Sequence, residues 1–182
     1  MWFEADIKQK ALELGFDAVG ITTAEPLGTE SVDFYRGWLA AGRAAKMGYL
    51  HRNLDKRFAP AHLLKGAQSV ICVALNYRPA KAELNEHPNV RIARYAQYED
   101  YHPFIKERLF QLAEFIKTKA KAANGSERIK FKACVDSAPL AERALAQRAG
   151  LGFIGKNHML IHPELGGQIL LGELITTLEL EP

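Results

Sequence analysis

The sequence predicts an α/β (α+β) fold in which helices flank a mixed, largely antiparallel β-sheet. Segments with the 3.6-residue period of amphipathic helices alternate with short apolar, β-branched segments. The segment 69–76 (SVICVALN) is continuously apolar, as in strands that are covered on both faces. Near the carboxyl end, Gly166-Gly167 separates the β-like segments 159–161 and 169–176, which favours hairpin pairing.

The amino-terminal part is predicted to alternate between helices and strands. Apolar residues recur with helical period over residues 3–14, and Gly15 ends this helix. Residues 17–22 predict a short buried strand, and residues 32–39 a second helix with its aromatic side chains inward. Residues 47–58 are amphipathic but interrupted, which indicates a broken helical segment.

The remaining elements precede the two β-like segments already described. In chain order, we predict a long loop at 77–89, a strand at 90–95, a helix at 103–123 ended by Asn124-Gly125, a strand at 130–135 and a helix at 139–149. No glycine-rich G-x-G-x-x-G motif follows the first strand, so a Rossmann unit is not expected.

Length and composition indicate one globular domain, residues 1–182. Of the 182 residues 48% are hydrophobic and 25% are charged, which argues against a disordered or fibrous chain. No apolar run is long enough to span a bilayer, and the amino terminus lacks the core of a signal peptide, so we expect a cytoplasmic protein that does not bind membranes. The net charge of +3 is compatible with an RNA partner but does not establish one.

The chain has two cysteines, Cys72 and Cys134, and both lie in apolar β-rich segments. This placement is typical of reduced core thiols rather than of a disulfide framework. An iron–sulfur cluster held by protein thiolates takes about four cysteines, so this chain cannot hold one alone. The histidines also lack the spacing of a zinc site, and we predict no metal ligands.

Residues 134–157 combine an acid, a capped helix and a glycine-rich turn. Asp136 lies at a strand-to-helix junction, where Ser137 can cap a helix that Pro139 starts and Glu142 can complete a capping box. Carboxylates at such junctions often face a cleft, because backbone donors point outward there. Spacing alone leaves two roles open for Asp136, a helix cap or a catalytic acid.

The glycine-rich turn has two interpretations. Gly150, Gly152 and Gly155 would let the backbone approach a ligand, to whose phosphate or amide groups Lys156 and Asn157 could donate hydrogen bonds. Alternatively, Gly150 ends a helix and the other glycines belong to a hairpin. The second interpretation leaves the Lys-Asn pair without an explanation, so we favour ligand contact.

Five motifs in order carry a family resemblance over nearly the whole chain. They are NLDKR at 53–57, RYAxxxDYH at 94–102, VDSAPxxER at 135–143, AGLGFIGKN at 149–157 and LGEL from 171. In these motifs the chain resembles the amino-terminal domain of epoxyqueuosine reductases, the cobalamin-dependent enzymes of the last step of queuosine synthesis in tRNA. It departs from the family at Phe153, where Trp is usual, and at His158, where Thr or Ser is usual.

The resemblance implies a fold akin to flavin-dependent nitroreductases and cobalamin-processing proteins, with cobalamin (cob(II)alamin) over the sheet. Family members continue into a ferredoxin-like domain with two 4Fe-4S clusters and then into a helical-repeat domain. We therefore expect this chain to be the cobalamin-binding catalytic domain without those two domains, as its cysteine count also indicates.

The resemblance also implies the reaction and the residues of the site. The reaction is a two-electron reduction that opens the epoxide of epoxyqueuosine, and Asp136 would be the general acid that protonates the oxygen. The expected cofactor-binding residues are Arg57, Tyr95, Asp100, His102, Ile154, Gly155, Lys156, Asn157 and Gln168. His102 is the third residue of a D-x-H sequence that begins at Asp100 but lacks the glycine of cobalt-ligating histidines, so we do not expect it to ligate cobalt.

The expected partners are a tRNA anticodon stem-loop that carries epoxyqueuosine and an external electron donor, and the expected oligomeric state is a monomer. Two other functions remain open. The chain could bind a corrinoid without catalysing a reaction of its own, or it could be a flavin reductase on a related fold.

Overall fold

The computed structural model describes residues 2–78, 92–122 and 129–182. Its strands are β1 (Ala18–Thr23), β2 (Ser69–Asn76), β3 (Phe131–Cys134), β4 (Phe153–Ile154), β5 (Leu160–Ile161) and β6 (Ile169–Thr176). Its α-helices are α1 (Trp2–Glu13), α2 (Thr29–Ala40), α3 (Leu54–Phe58), α4 (Tyr101–Ala122) and α5 (Glu142–Arg148). Three short 3₁₀ helices lie at Gly48–His51, Pro60–His62 and Arg94–Gln97.

A four-stranded sheet with the order β1-β2-β6-β3 forms the centre of the fold. Every strand pair in the described part of the chain is antiparallel, including the separate hairpin of β4 and β5. The predicted class, helices around a largely antiparallel sheet, is confirmed. The nitroreductase-like kinship stays a prediction.

Helices cover both faces of the sheet. On one face, α1 and α4 pack over a cluster that includes Ile71, Val73 and Leu174, and on the other α5 packs over Cys72, Cys134 and Ile175. This two-sided burial explains why β2 is apolar at every position from 70 to 75. Each fully buried aliphatic side chain stabilises the fold by about 1.5–3 kcal/mol.

Gly172 lets α4 approach the sheet closely. A Cβ atom at this position of β6 would lie 2.7 Å from Cγ2 of Ile105 and 3.3 Å from Cδ1 of Leu109, both on the buried face of α4. Atoms that close would force the helix away from the strand. The close packing fixes the first turn of α4, where Tyr101 and His102 lie, over the sheet.

Most predicted elements are confirmed within a few residues, but three expectations are corrected. Residues 90–95 were expected to form a strand; their described part instead enters the 3₁₀ helix at Arg94–Gln97, where the Tyr95 ring packs edge-on against Tyr77. Arg94 donates to Gln168 just before β6, so this segment crosses the end of the sheet and pairs with no strand. Most of the predicted loop at 77–89, and the helix end at Asn124-Gly125, lie outside the described residues.

The second correction concerns α5, which begins at Glu142 rather than at 139. The amide of Ala141 donates to the carbonyl of Arg57, and no side chain caps the helix at Ala141, so the predicted Ser137 cap is wrong. The third correction concerns the predicted hairpin between the segments 159–161 and 169–176. The first of these segments, β5, pairs instead with β4, a strand that lies within the predicted glycine-rich turn. None of the described helices combines the length and the apolarity that crossing a bilayer requires.

Candidate active site

Asp136 lies two residues beyond the end of β3, in the segment that leads to α5. We call residues 135–141 the acid loop. The backbone of Asp136 has a φ of 53°, in the left-handed region that aspartate tolerates better than most residues. Its amide donates to Oε1 of Glu142 over 2.6 Å, while its side chain is 67% exposed. The backbone of Asp136 is therefore fixed from within, and its carboxylate is open to a ligand.

The first turn of α4 supplies two partners for the carboxylate of Asp136. The hydroxyl of Tyr101 donates to Oδ2 over 3.1 Å, and Nε2 of His102 lies 3.6 Å from the same oxygen. The two rings stack with their centroids 4.1 Å apart. Burial, assisted by the charge of Asp136, raises the pKa of Tyr101 to about 12, so its hydroxyl keeps its proton and remains a donor at neutral pH.

Asp100 orients the imidazole of His102. Its Oδ1 accepts a hydrogen bond from the backbone amide of His102 over 2.9 Å and lies 2.7 Å from Nδ1 of the ring. These hydrogen bonds, that of the amide first, lower the pKa of Asp100, so it is ionised at neutral pH. An ionised Asp100 favours hydrogen on Nδ1 and turns Nε2 toward Asp136. The three side chains form the chain Asp100–His102–Asp136.

Three consecutive residues at the start of α5 join the acid loop to α3 and to the β4–β5 hairpin. Ala141 binds the carbonyl of Arg57 through its amide over 3.0 Å, and Glu142 accepts the amide of Asp136. Arg143 donates through Nη1 to the carbonyl of His158, in the glycine-rich turn. Glu142 was expected to serve a capping box with Ser137; it reaches back to Asp136 instead.

The glycine-rich turn is a tight hairpin between β4 and β5. A Cβ atom at Gly152 would lie 2.2 Å from the carbonyl oxygen of Ile161, and one at Gly155 would lie 2.6 Å from Cδ1 of the same residue. The packing of the hairpin backbone thus requires glycine at 152, whereas at 155 only side-chain atoms would have to move. Lys156 and Asn157 are exposed at its tip, where Oδ1 of Asn157 accepts a hydrogen bond from the amide of Met159 over 3.1 Å.

Arg57 in α3 has a buried polar atom that the protein does not use. Its Nε has no hydrogen-bond partner among the described residues, and its guanidinium carbon lies 5.5 Å from the centre of the Tyr35 ring. Buried donors without partners are rare in folded proteins. This nitrogen is therefore available to an acceptor on a bound ligand.

The predicted site residues fall into two groups. Asp136, Asp100 and His102 interact directly, and the α5 start ties Arg57 and the turn that contains Gly155, Lys156 and Asn157 to the acid loop. Tyr95 and Gln168 form a second group at the end of the sheet, where Arg94 binds Oε1 of Gln168. Ile154 belongs to the β4–β5 hairpin. Their roles in binding a cofactor stay predictions.

Known proteins resemble this chain in sequence and in structure. A sequence model of the family described as epoxyqueuosine reductase QueG, DUF1730, matches residues 57–137. The epoxyqueuosine reductase of Gloeobacter violaceus is 42% identical over 177 residues, which are 97% of this chain and 53% of that protein.

Over nearly its whole length, the chain is similar to epoxyqueuosine reductases.

It spans about half the length of the curated relatives it matches. Solved epoxyqueuosine reductases resemble it over 100% of its length. The enzyme from Streptococcus thermophilus superposes with a TM-score of 0.85 at 34% identity over 48% of its chain, and one with a tRNA-Tyr epoxyqueuosine-modified stem loop with 0.80 at 31% over 47%. A Bacillus subtilis enzyme, whose catalytic aspartate loop is swung out of the active site, gives 0.79 at 30% over 46%.

A more distant likeness concerns the fold alone. A reductive dehalogenase, whose structure suggests a mechanism for B12-dependent dehalogenation, superposes on 94% of this chain with a TM-score of 0.52 at 16% identity. In the described part of the chain, no group of three or more His, Cys, Asp and Glu side chains could hold a metal ion.

Sequence reasoning about the epoxyqueuosine reductase motifs omitted two carboxyls that the structure brings to the acid loop. Glu142 was assigned only to a capping box, and Glu173 was noted only as part of the LGEL motif. The available signal for Glu173 was a single charged residue inside the apolar strand ILLGELIT. A charge in a strand that is buried on both faces indicates a special role.

Proposed function

We propose that this chain performs the epoxide-opening step of an epoxyqueuosine reductase, which converts epoxyqueuosine to queuosine in tRNA. The observation that carries the proposal is the geometry of Asp136, an exposed carboxyl whose backbone and side chain are both held by neighbouring residues. The identity to epoxyqueuosine reductases over 97% of the chain supports this choice of substrate.

Opening the epoxide to an alkene consumes two electrons and two protons and releases water. The first proton must reach the epoxide oxygen as its bond to carbon breaks, because an alkoxide is a poor leaving group. Asp136 is suited to hold that proton, since its carboxyl is accessible and Tyr101 fixes one of its oxygens. In the Bacillus subtilis relative, the catalytic loop is also named for an aspartate.

His102 is placed to return a proton to Asp136 after each reaction. Its Nε2 lies 3.6 Å from Oδ2 of Asp136, and on the other side of the ring Oδ1 of Asp100 lies 2.7 Å from Nδ1. Because His102 and Asp100 are both partly exposed, solvent can supply the proton. The chain Asp100–His102–Asp136 thus connects the acid to water without requiring Asp136 itself to face solvent when substrate covers it.

The residues present fit a corrinoid, whose rim carries amides and a phosphate. The unused Nε of Arg57 and the exposed side chains of Lys156 and Asn157 offer donors for such groups, and all three belong to segments joined at the α5 start. A corrinoid, when bound, supplies the electrons of the reduction. We assign Arg57, Lys156 and Asn157 to its binding, with Tyr95, Ile154, Gly155 and Gln168 as further contacts.

We infer that the tRNA anticodon stem-loop is the macromolecular partner, since a relative is solved with an epoxyqueuosine-modified stem loop. The electrons must come from a donor outside the described residues. Iron–sulfur clusters in a further domain or a separate protein are our proposed source, because two buried cysteines cannot ligate a cluster here.

The test of the proposed function uses the 182-residue chain with cobalamin, a chemical reductant and a stem-loop RNA that carries epoxyqueuosine. We expect the corrin absorption spectrum to accompany the purified chain and queuosine to form in the RNA, as measured by mass spectrometry of nucleosides. Uptake of FMN instead of cobalamin would favour a flavin reductase. Corrinoid uptake without queuosine at any reductant concentration would favour a binding module.

A further inference from the structure

Glu173 is a carboxyl in the centre of the sheet. It lies in β6 and pairs with Cys72 of β2 on one side and with Cys134 of β3 on the other. Residues directly opposite each other in a sheet project to the same face, so Glu173 lies between two thiols under the start of α5. Its exposed fraction is 0%. Substrate and solvent therefore do not reach it.

Neither carboxylate oxygen of Glu173 receives a hydrogen bond from a donor among the described residues. The neighbouring polar group that interacts with it is the carboxyl of Glu142, at the first position of α5. Two ionised carboxylates cannot hydrogen-bond to each other, whereas a proton on one of them makes it a donor to the other. The arrangement satisfies Glu173 only if the pair retains a proton.

Electrostatics agrees with this requirement. Burial raises the pKa of Glu173 well above its ordinary value, and the charges of Glu142 and Asp136 raise it further. Burial also raises the pKa of Glu142, to about 7. The other groups that face Glu173 are the thiols of Cys72 and Cys134, whose pKa values burial raises, so they are neutral as well. The hydrogen bond from the amide of Asp136 and the electrostatic interactions with Arg143 and His102 act against burial and lower the pKa of Glu142.

We propose that Glu173 is a positioning residue that keeps its proton at neutral pH and donates it in a hydrogen bond to Glu142, which holds the acid loop in place. Glu142 is the link, because its Oε1 accepts the amide of Asp136 over 2.6 Å. Glu173 thus contacts Glu142, and Glu142 contacts the backbone of Asp136. The effect of these contacts on catalysis rests on the function proposed above, whereas the shared proton and the hydrogen bonds do not depend on that function.

The position of the acid loop matters because the corresponding loop of a relative has been observed in another position. In the Bacillus subtilis relative the catalytic aspartate loop is swung out of the active site. The left-handed backbone of Asp136 must be held by its surroundings, since this region is sparsely populated for residues other than glycine. The hydrogen bond that the amide of Asp136 donates to Glu142 is such a restraint, and a neutral Glu173 keeps Glu142 oriented.

The first test is the protonation state of Glu173 in the whole 182-residue chain. Carbon-13 spectra of the side-chain carboxyls, assigned with Glu173→Gln and Glu142→Gln, are recorded from pH 4 to pH 9. We expect the carboxyl carbon of Glu173 to keep the shift of a protonated acid at pH 7. An ionised Glu173 at pH 7 would overturn the proposal.

The second test reads the acid loop through the amide of Asp136. In Glu173→Gln the side-chain NH₂ can still donate to Glu142, whereas in Glu173→Met a residue of similar volume cannot. We expect hydrogen exchange of the Asp136 amide to accelerate at least tenfold in the methionine variant and less than threefold in the glutamine variant. Glu179→Gln, an exposed position beyond the opposite end of β6, is the control and should leave exchange unchanged.

Equal exchange in the methionine variant and the unaltered chain would also overturn the proposal, and the dispersion of the amide spectrum shows whether each variant is folded. Both readouts are independent of cobalamin and RNA. If the chain forms no queuosine but Glu173 is protonated and coupled to Asp136, the proposed function fails and the positioning role stands. If queuosine forms and the coupling is absent, the reverse holds.

Discussion

Asp136 follows the end of β3, Glu173 lies in the neighbouring strand β6, and their two carboxyls differ in exposure to solvent. Asp136 is 67% exposed and is held by Tyr101, His102 and Glu142. Glu173 pairs with Cys134, two residues before Asp136, yet it is fully buried and receives no hydrogen bond from a donor among the described residues. We infer from this difference that burial separates their proposed roles, because only the exposed carboxyl can meet a substrate.

The substitution with the largest expected effect is Asp136→Asn, which keeps the shape of the side chain and removes the acid. General acids contribute about 10²–10⁴-fold to a rate, so we expect turnover to fall by at least 100-fold. Formation of queuosine in stem-loop RNA, at equal cobalamin occupancy, measures the effect. Asp33→Asn, an exposed aspartate on α2, is the matched control and should retain full activity.

The next effect concerns His102, which we propose returns the proton. In His102→Gln the side chain still donates a hydrogen bond but carries no transferable proton, so we expect turnover to fall by about tenfold to 100-fold. Tyr101→Phe, which removes the neighbouring hydrogen bond and keeps the ring, should lose about tenfold or less. Steady-state rates of the two variants from pH 6 to pH 9 provide the comparison. A larger loss in Tyr101→Phe would argue against the relay.

Stability should respond to pH through the buried carboxyls. The folded pKa of Glu142 is raised to about 7 from an ordinary 4.5, and that of Glu173 is raised as well. Between the ordinary pKa of 4.5 and the folded pKa of about 7, Glu142 binds more protons in the folded state than in the unfolded state. Stability therefore falls as pH rises from about 5 to 7. The slope is at most about 1.4 kcal/mol per pH unit for each group.

Urea unfolding at pH 5, 6, 7 and 8 measures this slope. Glu142→Gln and Glu173→Gln should each flatten it, because the amide does not titrate. Asp100 does not titrate between pH 5 and pH 8, because hydrogen bonds lower its pKa. Its contribution to the free energy of unfolding is lost only at more acidic pH. Stability that rises between pH 5 and pH 7 would contradict the raised pKa values.

The smallest expected effect is a gain in stability in Glu173→Met. A buried polar group with incomplete hydrogen bonding is unfavourable by about 1–3 kcal/mol, so an apolar residue of similar size should stabilise the fold by about 1 kcal/mol. The free energy of unfolding at pH 8, from urea titration, measures the gain. A loss of stability would indicate that Glu173 serves the fold rather than the acid loop.

Periodicity and turn residues predicted most of the fold because they report local preference and burial. The strand at 69–76 was predicted to the residue, since continuous apolar β-branched sequence has one explanation in a sheet covered on both faces. The expectation at 90–95 failed because Arg94 and Tyr95 take partners at the end of the sheet, which local sequence does not show. The start of α5 was missed because Arg57, far away in sequence, binds the amide of Ala141.

The sequence predicted those residues of the candidate site that lie in the motifs. Asp136 was found from its junction and from the family motif, and the chain Asp100–His102–Asp136 joins two motifs that the sequence could only place in order. Glu173 could not be linked to Asp136 in this way. Their connection depends on the register of β3 against β6 and on the helix start at Glu142, which are tertiary features.

One single-turnover experiment tests the division of roles most directly. Asp136→Asn, Glu173→Gln and Glu173→Met are loaded to equal cobalamin occupancy, reduced chemically and mixed with epoxyqueuosine stem-loop RNA. We predict a rate at least 100-fold below that of the unaltered chain for Asp136→Asn, within about threefold for Glu173→Gln, and between these two for Glu173→Met. A rate for Asp136→Asn that matches the unaltered chain would contradict the assignment of Asp136 as the acid.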